Sequence, residues 1–369
     1  MAITAVTVRD FRSYHEATAM LGGGLTVLCG PNGAGKTNLL EAVYFGCTGR
    51  SCRTANDREL VRFHAGPLRV SVGSEDASGR HEMSVGFAPG ESKRMTFDGA
   101  SVERLLDIPE RPLVSVFLPD RLELIKGVPA LRRAHLDQYV AALWPARVVH
   151  RRSYAAALAQ RNALLARVRA GRGSIASFEA WDAQLAGHAL ALMSDRREAV
   201  ERTADAFAES AARLGLGGEP AIAYRPRSRA ASAEEFVEEL KARLESDLER
   251  GFTGHGPHRD DLLVSREGRE LRTYGSQGQQ RIGLLALLLA EREVLGSARD
   301  EPPLMLLDDV MSELDASRRG ALVELLRASG GQALITTTDL EHVPGADGPD
   351  VRRLVVSGGA VLQDLSAAA

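Results

Sequence analysis

The sequence predicts an α/β fold whose two ends form one head and whose middle forms a mostly helical insert, and three observations carry this expectation. The apolar strand Leu25-Thr26-Val27-Leu28-Cys29 enters a glycine-rich octet and leaves it as an apolar-periodic helix. Far along the chain, Leu304-Met305-Leu306-Leu307 is a continuous apolar run, the pattern of a parallel strand buried on both faces. Between the two, the texture changes from strand to helix after Pro119 and returns to strand at Asp261 to Val264. Residues 1–119 and 251–369 are therefore expected to form a discontinuous head, and residues 120–250 an inserted helical arm.

Taken in order, Ile3 to Phe11 reads as a strand with Val6, Val8 and Phe11 apolar, and a Gly22-Gly23-Gly24 turn separates it from Leu25 to Cys29. From Leu68 to about Phe97, apolar alternation broken at Gly79, Gly90 and Gly99 gives a hairpin rhythm, and strands continue to Val114-Ser115-Val116-Phe117. The insert then opens with an arginine-rich helical stretch. A break at Gly171-Arg172-Gly173-Ser174 leads into Phe178, Trp181, Leu185, His188 and Leu192, whose spacing of three and four is that of an amphipathic helix. A short strand at Ala221 to Tyr224 and a third helix near Ala233 to Glu249 complete it. No repeat of 20–50 residues is visible.

Composition narrows the class. At about 150 residues per domain, 369 residues suggest two domains. With 44% hydrophobic and 26% charged residues at a net charge of −3, the chain is an ordinary globular protein and not a globally basic nucleic-acid binder. The apolar stretch from Ile282 to Ala290 is nine residues, short of the roughly 18–20 that span a bilayer, so no membrane partner is expected. The N-terminus lacks the pattern of a secretory signal, and Cys29, Cys47 and Cys52 form no metal-like pair, so the expectation is a cytoplasmic protein.

Gly30-Pro31-Asn32-Gly33-Ala34-Gly35-Lys36-Thr37 fits G-x-x-x-x-G-K-[ST]. Glycines let backbone amides wrap phosphate oxygens at a helix N-terminus, Lys36 adds a full charge, and the Thr37 hydroxyl is a Mg²⁺ ligand candidate. Asp308-Asp309 ends the second apolar run, where strand termini deliver acids to a nucleotide crevice. Asp308 is then a Mg²⁺ candidate and Asp309 a polariser of attacking water. Ser276-Gln277-Gly278-Gln279-Gln280 precedes a long apolar helix; such residues can make an anion site, but taken alone they read first as a flexible, Gln-rich N-cap.

Together these segments resemble the ATP-binding-cassette ATPases, with Gly30 to Thr37 as phosphate loop, Ser276 to Gln280 as signature, Asp308-Asp309 as the second acidic motif and Ser312-Glu313-Leu314-Asp315 as the D-loop. Phe11-Arg12-Ser13-Tyr14, Phe117-Leu118-Pro119-Asp120, Gln160 to Leu165, Gly256-Pro257-His258-Arg259-Asp260-Asp261-Leu262 and Leu307-Asp308-Asp309-Val310 look like the RecF family over nearly the whole chain. The resemblance implies an ABC-type ATPase head with a phosphate-loop α/β lobe and an antiparallel β lobe. It further implies a weak DNA-dependent ATPase of recombinational repair, replication and the SOS response. Such a protein forms a homodimer when ATP-bound, acts on double-stranded and gapped DNA, and helps RecO and RecR to load RecA. Lys36, Asp309 and Ser276 would be catalytic, Gly30 to Thr37 with Ser276, Gly278 and Gln279 would bind ATP, and Thr37 with Asp308 would hold Mg²⁺. Two departures stand out: Asp309 occupies the place of the usual Glu, and Thr336-Thr337-Thr338 stands where a switch His is common.

For DNA, Arg147, Arg151, Arg152, Arg161, Arg167, Arg169 and Arg172 lie in a stretch without Asp or Glu, which suits phosphate contact or a solvated helix face. Arg225, Arg227 and Arg229 are a second candidate. Aromatic content of 5% argues against base stacking on single strands. His255 and His258 beside Asp260 and Asp261 read as a hydrogen-bonded turn in preference to a metal cluster. The alternatives are an SMC-like coiled-coil head, for which hairpin helices of about 45 Å would be a stub, a transporter nucleotide-binding subunit, and a nuclease-coupled ATPase.

Overall fold

A computed structural model describes residues 1–299 and 301–363, which divide into two units: Met1–Arg121 with Arg213–Gly215 and the residues from Leu285 onward, and Leu122–Ala212 with Leu216–Leu284. The chain opens with β1 (Ala2–Phe11), β2 (Tyr14–Met20) and β3 (Leu25–Cys29), followed by the helix Lys36–Thr48. Then come β4 (Leu68–Asp76), β5 (Gly79–Phe87), β6 (Arg94–Phe97), β7 (Ala100–Val102) and β8 (Val114–Phe117). The second unit carries β9 (Pro220–Arg225), β10 (Asp261–Arg266) and β11 (Arg269–Glu270), and the chain returns as β12 (Leu304–Leu307), β13 (Ala333–Thr337), β14 (Arg352–Ser357) and β15 (Ala360–Gln363).

In the first unit an antiparallel sheet of order β2-β1-β4-β5-β6-β7 accompanies a mainly parallel sheet of order β15-β14-β3-β13-β12-β8. Alternation decides the first: Leu68, Val70 and Val72 of β4 and Met83 and Val85 of β5 are buried, with polar neighbours between them. The parallel β12 is buried at all four positions, as strands covered on both faces must be. One core cluster joins β1, β4 and β5 to Leu39, Leu40, Val43 and Phe45 of the helix and to Leu28 of β3. Gly46 makes that approach possible, since a Cβ there would lie 2.3 Å from Val72 Cγ2. Strand β2 lay hidden in the sequence because its inward positions include the small Ala17 and Ala19, and it pairs with β1 through a turn at left-handed Arg12.

The second unit contains the helices Pro129–Leu143 and Val148–Arg169 and all but the last residue of Phe178–Arg213, the last two forming the expected pair across the break at 171–174. Its apolar clusters are Tyr154, Leu185, Ala189, Leu192, Phe236 and Leu240, and Leu164, Leu165 and Phe178 with Trp181 packed on them. The expected third helix is two, Ala233–Lys241 and Leu244–Arg250, and the break at 242–243 redirects the chain so that Asp247 reaches Arg161. Residues 251–284 group with this unit, although the sequence placed them with the head. The reason is pairing: β10 lies antiparallel to β9 over six residues, and Arg132 holds Asp261 through two bonds of 2.7 and 2.9 Å. No helix among the described residues is long and apolar enough to cross a membrane.

Candidate active site

The phosphate loop leaves the end of β3 and closes on the helix beginning at Lys36. Its last residue, Gly35, has φ 114°, a left-handed value that side chains resist, and a Cβ there would lie 2.9 Å from both Ser13 Oγ and Tyr14 Oη. The Tyr14 hydroxyl donates to the Gly35 carbonyl at 2.9 Å, fixing the loop against the β1–β2 turn, and burial pushes its phenol far above the ordinary range. Pro31, Asn32 and Gly33 are exposed and Gly30, Gly35 and Lys36 are buried, with Ala34 half-buried between them. The Lys36 ammonium donates to the Gly30 carbonyl at 2.7 Å and the Pro31 carbonyl at 3.1 Å, so the charge sits inside the concave loop.

Parallel register brings the acids to this loop. β13 lies between β3 and β12, pairing Thr336 with Leu28 and Thr337 with Cys29 on one side and Ile335 with Leu307 on the other. Asp308, one step beyond β12, therefore emerges beside Thr37, and Asp309 follows it in the chain. The Thr37 hydroxyl is 2.9 Å from each Asp308 carboxylate oxygen. The Thr336 hydroxyl donates to Asp308 Oδ1 at 2.7 Å and accepts the Asp309 backbone N–H at 2.9 Å. Burial raises the Asp308 carboxyl above the usual range and neighbouring Asp309 adds to the rise, while the bonds from Thr336 and Thr37 oppose it. Asp309 itself is half-buried at φ 45°, and a 3-10 turn, Val310–Glu313, follows it. Asp315 then caps the helix Ala316–Ala328 by accepting the Arg318 N–H at 2.9 Å.

The oxygens of Thr37 and Asp308, at hydrogen-bond distance beside a phosphate-type loop, are the hard donors that Mg²⁺ prefers, so this pair fits the ion. Thr336 donates its proton to Asp308 and accepts the Asp309 N–H, and Thr337 donates to the Asp339 carbonyl and accepts the Asp339 N–H. The segment Phe11-Arg12-Ser13-Tyr14 stands out in the sequence, but the role of Tyr14 and the double role of Thr336 do not, because each acts through fold-distant partners. The same holds for Arg12, whose guanidinium makes two 2.9 Å bonds to the fully buried Glu41, with Arg53 3.2 Å from the same carboxylate.

The signature segment lies in the second unit. Ser276 and Gln279 form a reciprocal capping box: the Ser276 N–H donates to Gln279 Oε1 at 2.9 Å and the Gln279 N–H to Ser276 Oγ at 3.3 Å. Ser276, Gln277 and Gly278 are exposed, so the unpaired first-turn amides face solvent. Buried Gln280 braces the preceding turn, its amide donating to the carbonyls of Leu271 at 3.0 Å and Gly275 at 3.2 Å.

The arginine stretch separates into two groups. Arg161 is fully buried, bonded to Asp182, Asp247 and Thr253 at 2.6–2.8 Å. Arg147 pairs with Asp195 and Glu198, and Arg151 with Asp137, all supplied by other helices, so a stretch without acids in sequence is not without acids in space. Arg167, Arg169 and Arg172 are exposed. Arg225 faces Glu270 at 3.3 Å, while Arg227 and Arg229 are exposed. His255 pairs with Glu239, and His258 bridges the Tyr154 hydroxyl at 2.6 Å and the Thr253 carbonyl at 2.8 Å, so both rings belong to a hydrogen-bonded turn.

Comparison with known proteins follows the same lines. The family model described as the RecF/RecN/SMC N terminal domain matches residues 2–350. The DNA replication and repair protein RecF of an Anaeromyxobacter species is 39% identical over 373 residues, 98% of this chain and 99% of the relative. The structure of the recombination mediator protein RecF with ATP, in the RecFOR pathway, aligns with a TM-score of 0.84 at 27% identity, covering 98% of this chain and 97% of that one. An SMC head bound to the C-winged helix domain of ScpA shares the fold, with a TM-score of 0.62 at 16% identity over 100% of this chain and 99% of that one.

Proposed function

This chain belongs to the RecF family, within the wider RecF/RecN/SMC group, and from that premise we propose that it is an ATP-dependent DNA-binding protein of recombinational repair and replication maintenance. ATP drives two copies together head to head on duplex or gapped DNA, slow hydrolysis releases them, and the complex works with RecO and RecR to load RecA. The observation that carries this reading is the meeting of Thr37 and Asp308 at 2.9 Å beside a loop that already holds Lys36 inward.

The amides of Asn32, Gly33 and Gly35 to Thr37 receive the phosphates, those of Gly30 and Ala34 being held by the carbonyls of Thr337 and Pro31, and Lys36 exchanges its two carbonyl partners for phosphate oxygens. Thr37 and Asp308 hold Mg²⁺, which when bound neutralises charge on the phosphates. Asp309, its backbone anchored by Thr336, orients water; its carboxylate is one carbon shorter than Glu, consistent with a timer and not a motor. Ser276, Gly278 and Gln279 of the second copy cover the γ-phosphate. The capping box supports that role, because Ser276 Oγ accepts an N–H from within the helix and keeps its own proton to donate. Hydrolysis removes those cross-contacts, and the equilibrium returns to separate copies. DNA is held by its phosphates at exposed Arg167, Arg169 and Arg172, giving sequence-independent, salt-sensitive affinity.

Light-scattering mass without nucleotide, with ADP and with a non-hydrolysable ATP analogue, repeated with duplex DNA and with Ser276→Arg, tests the reading. A dimer that forms only with the analogue, is lost in the variant and binds duplex is the expected result. A monomer under every condition rejects the covering mechanism.

A further inference from the structure

Two residues before Ser276 stands an aromatic side chain that the reading above does not use. Tyr274 is 69% exposed, the largest exposure of any tyrosine or tryptophan among the described residues, and it closes the one-turn helix Leu271–Tyr274. The turn under it is held firmly. Leu271 is buried, Gln280 ties down the carbonyls of Leu271 and Gly275, and Arg272 is fixed 2.6 Å from Glu270 and 3.8 Å from Asp261. A rigid backbone thus presents a ring to solvent, in the wall of an open cavity of about 770 Å³ lined by Gly268, Arg269, Glu270, Arg272, Thr273 and Tyr274. Aromatic face, guanidinium groups and a threonine hydroxyl together form the surface chemistry that takes a nucleobase and its sugar.

We propose that Tyr274 stacks on the base of the nucleotide held by the phosphate loop of a second copy, making the Tyr274 cavity a base-recognition subsite that assembles only in the dimer. This rests on the covering role of Ser276. Two residues of chain reach about 7 Å, and the tyrosine side chain extends further, so with Ser276 at the γ-phosphate the ring lies within the length of the same nucleotide. Stacking on a π-face tolerates different bases, so the ring contributes affinity in the dimer while preference among bases falls to Arg269 and Thr273 at the cavity wall.

The test measures analogue-driven dimerisation by sedimentation or light scattering for the full chain, Tyr274→Ala, Tyr274→Phe, Arg269→Ala and Ser276→Arg, each with non-hydrolysable ATP and GTP analogues. Nucleotide binding is titrated in parallel at protein concentrations below dimerisation. Tyr274→Ala is expected to weaken dimerisation by about 5- to 150-fold for each of the two subsites, Tyr274→Phe to retain it, and monomer nucleotide affinity to stay at the parental value. Arg269→Ala is expected to narrow the difference between the ATP and GTP analogues. Unchanged dimerisation in Tyr274→Ala overturns the subsite, as does an equal loss in Tyr274→Phe, which would assign the effect to the hydroxyl. If Ser276→Arg still dimerises, the covering mechanism itself fails, and that result is separate from either Tyr274 outcome.

Discussion

The Thr336 hydroxyl donates to Asp308 Oδ1 at 2.7 Å while accepting the N–H of Asp309 at 2.9 Å, so one buried side chain sets the positions of both acids at the end of β12. Thr336→Val keeps the shape and removes both bonds. It leaves a buried carboxylate with one donor fewer and a backbone N–H with none, a loss of about 1–3 kcal/mol in stability. Nucleotide affinity should fall more with Mg²⁺ present than in chelator, which titration calorimetry under both conditions measures; equal falls would show that Thr336 only packs.

The two charged residues flanking the phosphate site separate binding from turnover. Lys36→Ala removes the ammonium held inside the loop by the Gly30 and Pro31 carbonyls, and is expected to weaken nucleotide binding by tenfold or more. Asp309→Asn keeps the backbone anchor at Thr336 but lowers the power to polarise water, so it should bind ATP normally and persist as a dimer with ATP itself. Light scattering over time in ATP distinguishes the two, since the parental dimer decays and that of Asp309→Asn does not.

Much of this site was legible in the chain, because the phosphate loop concentrates its chemistry in eight consecutive residues, and strand and helix patterns flank it on both sides. Asp308 and Asp309 were legible for the same reason, standing at the end of an apolar run. Tyr14 and Thr336 were not: their meaning lies in contacts to Gly35 and Asp308, residues 21 and 28 positions away that only sheet order makes neighbours. Strand β2 escaped because alanines carry its inward face, and residues 251–284 were set with the head because nothing local announces that β10 will pair with β9. The arginines show the opposite error, in which a local charge pattern overstated the free surface.

That sorting of arginines makes a contrast between stability and DNA affinity. Arg161→Met leaves Asp182 and Asp247 buried without their shared cation, and should destabilise the protein by about 3–5 kcal/mol in urea unfolding. Replacing Arg167, Arg169 and Arg172 together with Ala touches only exposed side chains, so stability should change little. Duplex affinity should drop, and the salt dependence of binding should flatten by up to about three phosphate contacts. Measured by fluorescence anisotropy across a salt series, an unchanged slope would place the DNA surface elsewhere, with Arg227 and Arg229 next in order.

His258 supplies a pH-dependent handle on the second unit. Its ring accepts from the Tyr154 hydroxyl at one nitrogen and donates to the Thr253 carbonyl at the other, the pattern of a neutral imidazole, and burial holds its pKa down to about 4, with the bond to Thr253 opposing. An unfolded histidine titrates near 6.5, so between about pH 6.5 and pH 4 the unfolded chain binds a proton that the folded one refuses. This contribution to stability is therefore complete above pH 6.5 and is lost as the pH falls toward 4, amounting to about 2 kcal/mol between pH 7 and pH 5. Urea unfolding of the parent and of His258→Gln at both pH values isolates it. The variant should be less stable at pH 7 but lose less on acidification, and parallel losses in the two proteins would assign the acid sensitivity to other groups.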